Sequence, residues 1–443
     1  MKNVSKLLSM LFLGLILWSC NKDDDGGEPD ITDPANREVV EVSGSIIEAT
    51  TWEEGKKYLL KGFVYVDKGA TLTIQPGTII KGDKDSKGSL IIKPGSRIVA
   101  EGTQQKPIVF TSNQPKGSRA AGDWGGLIIL GNAIVNKSPS VLEGEGTSTF
   151  GGTNNADNSG VLKYVRIEFA GIAYETDKEI NALTLGGVGS GTTIDFVQSS
   201  YSGDDAFEWF GGAVNAKHLV SFRTLDDDFD TDLGYSGNVQ YGVILRDPAV
   251  ADQCTCSDSN GFESDNDGLG TTAAPQTTAK FANISLFVGP GTLNSKYRSA
   301  ARIRRNSAIS IYNSVFTGGH PKAGLELEGS ATQDNFTVGT SDYAGMILSG
   351  FTTPVLPNAD PVLARLKDVT RANNTELAAG DLKLDADYNN LTAPKFLPQS
   401  GSPLLSAGVT LPAGFETAAF KGAFNTSDWT EGWTNFDPQN AEY

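Results

Sequence analysis

Little in this chain of 443 residues is basic, apolar over a long run, or helical in period. Its 36 lysines and arginines are outnumbered by 53 aspartates and glutamates, giving a formal net charge of −17. That deficit argues against nucleic acid or an anionic membrane surface as a partner, because both recruit basic patches. It suits a solvated exterior or a surface that gathers cations. Histidine is nearly missing: His218 and His320 stand alone, neither has a recognisable partner, and each reads as a surface or packing residue. After Trp18 no stretch is apolar for long enough to cross a bilayer. Helical periodicity is nearly absent before Asp360, and the Asn-Gly hairpin turns that punctuate a sandwich are scarce.

What is present begins with an address. In MKNVSKLLSMLFLGLILWSC, Lys2 and Lys6 precede an apolar run from Leu7 to Trp18, then Ser19 and Cys20. A short basic start and an apolar core too brief to span make residues 1–19 a secretory signal. With Leu17 and Ser19 in place, the segment resembles the bacterial lipobox, which implies that Cys20 is acylated and heads the mature chain; an uncleaved membrane anchor is the alternative. Residues 20–38, with NKDDDGGEPD after the cysteine, lack apolar anchors and read as a disordered tether. The tether is similar to the acidic export tag of Bacteroidetes-type lipoproteins, which implies display on the outer face of the outer membrane, with a plain soluble spacer as the alternative. Two further cysteines, Cys254 and Cys256, stand as CTC. An exported chain permits a disulfide there, although a bridge across one residue is tight. A local loop clip fits better than a metal site, since no third or fourth soft ligand lies nearby.

Short β-branched runs punctuated by glycine, asparagine and proline fill the middle of the chain. ATLTIQPGTIIKG and GSLIIKPGSRIVAEGT superpose without a gap, and GDWGGLIILGNAIV, GVLKYVRIEFAG, INALTLGGVG, KFANISLFVGP and SAISIYNSVFTGG extend the series. One strand-rich unit about every 18 to 25 residues predicts a solenoid in which each unit covers its neighbour's apolar face. These units resemble the right-handed parallel β-helix, or pectate-lyase-like, superfamily. VLKYVRIEFAG, DDAFEWFGG, DDDFDTDLGYSG and the closing FLPQSGSPLLSAG and DWTEGWTNFDP are similar to surface lipoproteins of that fold. The resemblance implies an all-β right-handed parallel β-helix over residues 39–355 and a helical or irregular C-terminal flank over 356–443 that supplies a last coil or cap. Within the flank, DPVLARLKDVTRANNTEL from Asp360 to Leu377 is the helix candidate and is expected to cap the solenoid. WEEGKKYLLKGFVYV is expected to close the other end.

Two stretches, DAFEWFGG and DDFDTDLG, align so that Phe207 meets Phe229 and Glu208 meets Asp230. Taking one apolar residue per unit as centre, the series runs Leu183, Phe207, Phe229, Phe262, Ile303, Leu325, with polar insertions bulging as loops. Strand side chains alternate between faces. If the centres point inward, Glu208 and Phe210, then Asp228, Asp230 and Asp232, then Glu263 and Asp265, point outward on successive coils. Arg302 and Arg304 follow on the next coil, and Glu326 and Glu328 on the one after. Ser264 and Arg305 fall on supposed inward positions, which requires short or bent strands there. Neighbouring strands lie about 4.8 Å apart, where two unit charges repel by roughly 3 kcal/mol at an effective dielectric near 20. Protons, arginines or a bound cation must relieve that. Alternating aspartates suit Ca²⁺, which takes oxygen ligands, so Glu208, Asp228, Asp230, Asp232, Glu263 and Asp265 form the candidate Ca²⁺ site. The competing readings are an arginine-neutralised ladder and a catalytic cluster. DDDFDTDLGYSG lacks the closing glutamate of an EF-hand.

Three functions compete. The first is capture of a glycan or other nutrient by a lipid-anchored accessory to an outer-membrane uptake system, with a TonB-dependent transporter as partner. Trp209, Phe210, Tyr235, Arg302 and Arg304 are the candidate ligand contacts, with Trp124 and Tyr241 as further aromatics. The second is a Ca²⁺-dependent polysaccharide lyase or glycoside hydrolase. Asp204–Asp205 and the RIR at 302 resemble polygalacturonase motifs, but GGH at 318 follows the arginines where those enzymes place it before. The third is an adhesive or structural surface protein. Fold alone decides nothing among them; capture is the favoured expectation because it explains the lipid anchor and surface address without further assumptions, whereas an enzyme needs a base and a substrate cleft that spacing does not locate.

Overall fold

A computed structural model describes residues 33–175, 178–253 and 257–443. Cys20, the signal and most of the tether, and the Cys254–Cys256 pair lie outside the described residues. Twenty-five strands join in one continuous hydrogen-bonded network. Its pairings are parallel throughout, as in Phe207–Phe210 on Phe229–Asp232 and Asn238–Arg246 on Lys280–Val288. Successive coils stack three sheets around one core, which makes the chain an all-β parallel β-helix. The first sheet climbs from Thr50–Trp52 through the leading halves of the long strands Gly160–Glu168, Thr193–Ser200 and Asn215–Phe222. The second uses the trailing halves of those same strands. The third runs from Ser89–Ile92 and Leu127–Leu130 through Leu183–Gly186, Phe207–Phe210, Phe229–Asp232, Phe262–Ser264 and Ser299–Ile303 to Ala323–Leu327.

The long strands turn from the first sheet into the second at a single residue. Tyr164, Phe196, His218, Tyr241 and Asn283 occupy that corner on successive coils, with φ of +50°, +55°, +50°, +61° and +57°. A left-handed residue other than glycine costs about 1–2 kcal/mol. Stacking offsets the cost: ring centroids are 4.5 Å apart for Tyr164–Phe196, 4.2 Å for Phe196–His218 and 5.1 Å for His218–Tyr241. Asp195 holds the His218 ring at 2.7 Å. His218 is thus a packing residue, and so is His320, which is 1 % exposed.

The inward column of the third sheet reads Leu183, Phe207, Phe229, Phe262, Ala301, Leu325, Val355. Ala301, not Ile303, therefore pairs with Phe262. The expected series slips there by two residues, and a slip of two leaves every side chain on its own face. Ser264 does point inward, where its hydroxyl bonds Thr231 and Ser307 at 2.6 Å each. Arg305 lies beyond the end of its strand, in a left-handed turn.

Helix Ser330–Val338, which periodicity did not reveal, buries Thr332 and Phe336. The expected helix is shorter than its pattern: Val362–Leu366 is helical and a 3-10 turn follows at Val369–Arg371. Val362 and Leu366 nevertheless join the central core at the C-terminal end of the stack. WEEGKKYLLKGFVYV supplies strand Lys56–Val66, a full part of the early coils, whose edge is covered by Glu38–Ile46. Residues 377–443 then return along the outside of the second sheet as a strap. Phe396, Leu404, Phe424 and Trp433 bury against Val220, Phe222, Val243, Leu245 and Phe287. Coil amides satisfy its backbone: Gln198 donates to Asn435 O at 2.8 Å, Gln240 to Glu416 O at 3.0 Å and Asn283 to Phe420 O at 3.0 Å.

Phe229 sits at the centre of the aromatic core, 5.7 Å from Phe207 and 5.3 Å from Phe262. Phe229→Ala should therefore cost about 3–5 kcal/mol and Phe229→Leu much less, read as the shift of the denaturant midpoint at constant slope.

Candidate functional site

The outer face of the third sheet carries the ladder in register. Thr184, Glu208, Asp230, Glu263, Arg302 and Glu326 are successive partners on adjacent strands. Like charge is therefore stacked on like charge for three coils, as the alignment required. The two ends resolve the repulsion differently. At the C-terminal end arginines supply it: Arg302 reaches Glu263 at 3.1 Å and Glu328 at 2.9 Å. Arg304 pairs with Glu263 and with Asp265 at 2.8 Å, and Arg305 with Asp265 at 2.6 Å. Arg302 and Arg304, expected as ligand contacts, are thus engaged by ladder acids, although both also line a cleft of about 360 Å³ beside the start of helix Ser330–Val338.

At the other end Asp205, Glu208 and Asp230 place one carboxylate oxygen each within 4.8 Å of one another. Among the described residues no ion pair reaches these three. Asp230 Oδ1 is buried and has no hydrogen-bond partner. Asp204, Asp205 and Asp226 form a second close set that shares Asp205. Burial, and then the neighbouring carboxylates, push Asp205, Glu208, Asp226 and Asp230 well above the usual carboxylate range. Burial also raises Asp227 to about 6, Asp232 to about 7 and Glu263 to about 8, the last despite Arg304 and Arg302.

Asp205 belongs to an inner ladder. Asn181 Oδ1 accepts from the Asp205 N–H at 3.2 Å, Asp205 Oδ1 from the Asp227 N–H at 2.8 Å, and Asn260 Oδ1 from the Ser299 N–H at 3.1 Å. Asp227 Oδ1 accepts from the Asn260 N–H in the same way. Each member stands two residues before an inward centre, so the run Asn181, Asp205, Asp227, Asn260 was visible as a polar position of fixed offset, and Ser299 joins it once Ala301 replaces Ile303 as the centre. This ladder fixes the bend that delivers Asp205 to the site.

Three expected site residues lie elsewhere. Asp228 precedes its strand, where alternation has not begun, and turns into the corner between the second and third sheets. There it meets Arg246 at 2.7 Å with both side chains fully buried. The same guanidinium donates to the carbonyls of Thr224, Leu225 and Asp226 at 3.2, 3.2 and 2.8 Å and lies over the Tyr297 ring. Trp209 and Tyr235 are core residues, 0 % exposed and stacked at 5.4 Å. Trp209 shares the inward set with Phe207, and the Tyr235 hydroxyl is spent on Val214 O at 2.8 Å. Trp124 is likewise buried, and Tyr241 stacks in the corner column. Phe210 does face outward, against Phe150.

A parallel β-helix with an acidic lateral face is the class that fold and site define. The chain belongs to the family described as pectate-lyase like beta helix domain, which matches residues 44–434. No curated protein and no solved structure matches it.

Removing one member of a fully buried ion pair strands the other, so Asp228→Ala should destabilise by about 3–5 kcal/mol in denaturant unfolding. The raised carboxylates also fix a sign. Their folded-state pKa values exceed the unfolded ones, so their contribution is complete at acid pH and is lost as pH rises through about 6 to 8. His320, lowered to about 3 by burial, acts oppositely, losing stability as pH falls from 6.5 towards 3. In the presence of chelator the melting temperature should therefore fall between pH 7.5 and 8.5, above the range in which the unfolded His320 titrates. A flat or rising profile there would contradict the arrangement.

Proposed function

We propose that this chain is a lipid-anchored cell-surface β-helix protein that captures a glycan or other nutrient ligand beside a bound divalent cation, as a non-enzymatic accessory to an outer-membrane uptake system. The carrying observation is the cluster of Asp205, Glu208 and Asp230, close together, without an ion pair among the described residues, and with a buried orphan oxygen on Asp230. Hard carboxylate oxygens suit Ca²⁺, which takes six to eight oxygen ligands. Those three residues would hold it, with Asp204 and Asp226 close behind. A bound cation supplies charge neutralisation and an electrophilic point for ligand hydroxyls. The Glu263–Asp265 end already has its arginines and needs none.

Capture is favoured over turnover because the clustered acids have other work: cation ligation for Glu208 and Asp230, and the inner ladder for Asp205 and Asp227. The signal, Cys20 and the acidic tether support a lipid-anchored address on the cell exterior, with a TonB-dependent transporter as the natural recipient of a captured ligand.

Calcium titration into chelator-treated protein should raise the melting temperature, with a gain of about 2.7 kcal/mol at a hundredfold excess over Kd. Asp230→Asn should abolish the gain while melting no lower than wild type in chelator at pH 8, since it removes a repelling charge. Identical wild-type melting with and without chelator would exclude the cation. Glycan-array binding without product release supports capture, whereas unsaturated sugars absorbing in the ultraviolet would instead identify a lyase. Cys20→Ser should release the protein from the membrane fraction.

A further inference from the structure

The two stretches that close the chain, FLPQSGSPLLSAG and DWTEGWTNFDP, take no part in the carboxylate cluster. The strap brings them together on the outside of the second sheet, where Phe396 packs against Phe424 at 5.1 Å and Phe436 at 5.8 Å. Beside these contacts, residues 385–397 and 428–436 enclose a cleft of about 440 Å³. Ligand pockets span about 300–1,000 Å³, so the space is of a size that takes a ligand.

Part of the lining is apolar. Pro394, Leu397 and Phe436 contribute to it, and all three stay half-buried although Leu397 and Phe436 also pack on the core beneath the strap. The charged part is mostly acidic, with Asp385, Asp428 and Glu431. Lys395 also lines the cleft, but Asp387 already holds it at 2.8 Å. Among the described residues no ion-pair contact reaches Asp385, Asp428 or Glu431. Asp385 Oδ1 accepts from the Asp387 N–H at 3.0 Å and Asp428 Oδ1 from the Thr430 N–H at 2.9 Å. Those bonds fix the two carboxylates and leave the second oxygen of each to accept from a ligand.

A ligand matching this lining brings apolar surface and positive charge together. Pro394 and Leu397 are aliphatic and give a sugar ring no aromatic face, while the Phe436 ring already meets Phe222 at 5.2 Å. Aliphatic side chains beside lysine or arginine meet both demands. We propose that this cleft docks a basic, apolar peptide segment of a partner protein. The segment covers Pro394, Leu397 and Phe436 with aliphatic side chains and pairs its cations with Asp385, Asp428 and Glu431. The carboxylate cluster lies on the outer face of the third sheet, so a partner held over the second leaves it uncovered.

The test is fluorescence anisotropy of the full chain with three labelled peptides and a neutral glucose oligomer. One peptide carries leucines between lysines, the second replaces the lysines by glutamates, and the third replaces the leucines by serines. The first should bind about tenfold or more tighter than either control, a difference of about 1.4 kcal/mol per tenfold. Its affinity should fall as salt rises from about 0.1 M to 1 M, where the screening length shrinks from about 10 Å to 3 Å. Glu431 and Ala393 are exposed rim residues, so Glu431→Lys and Ala393→Trp should melt with the wild type. Glu431→Lys should weaken the first peptide about tenfold, and Ala393→Trp, which fills the cleft, should abolish its binding. Failure of the first peptide to bind, equal binding of all three, or binding that survives both variants overturns the docking site. Binding of the glucose oligomer alone, lost in Ala393→Trp, would also overturn it and reassign the cleft to sugar. Each of these failures leaves ligand capture at the carboxylate cluster standing, because cleft and cluster share no residue.

Discussion

Stacking coils about 4.8 Å apart is the constraint on which the rest of this molecule depends, because it sets each residue on its counterpart in the next coil. For rings and amides that repetition is favourable. Phe207, Phe229 and Phe262 pack into one another inside the third sheet, and Asn181, Asp205 and Asp227 pass hydrogen bonds from coil to coil. For Glu208, Asp230 and Glu263 on the outside the same repetition is costly. A single register thus builds the core and creates an electrostatic debt on the flank.

The flank is consequently polar in the literal sense. Arginines gather at Glu263 and Asp265, and a carboxylate cluster that no ion pair reaches among the described residues begins on the adjacent coil. Arg246 governs how that cluster is presented, although it never reaches the surface. By gripping Asp228 and the carbonyls of Thr224, Leu225 and Asp226, it shapes the bend from which Asp226 and Asp227 project. A buried ion pair adds little net stability in general; here its fixed geometry is what matters.

Much of this was legible from the chain because a solenoid converts sequence offset directly into spatial neighbourhood. The alignment of Phe207 with Phe229 and of Glu208 with Asp230 survives intact as strand register, and the error at Ile303 was harmless because strands repeat every two residues. Legibility ended where strands end. Alternation says nothing of Asp228, Asp204 or Asp226, which occupy bends, and Tyr235 lies past its strand. Trp209 was misread although its parity with Phe207 marked it as core; aromatic character outweighed position. Helix Ser330–Val338 has no strong periodic pattern, and its place depends on surfaces that only the assembled coils create.

The C-terminal strap has a consequence for how the molecule unfolds. A solenoid held only by contacts between neighbouring coils can fray from either end, since its energetics are nearly one-dimensional. Here Val409 O is held by Asn313 at 2.8 Å, while Tyr443 O lies 2.9 Å from Lys81 and the Tyr443 hydroxyl 2.7 Å from Glu168. Late sequence is thereby fastened to both late and early coils. Opening one coil disturbs a belt shared by the others, which turns a stack of semi-independent units into something that yields all at once.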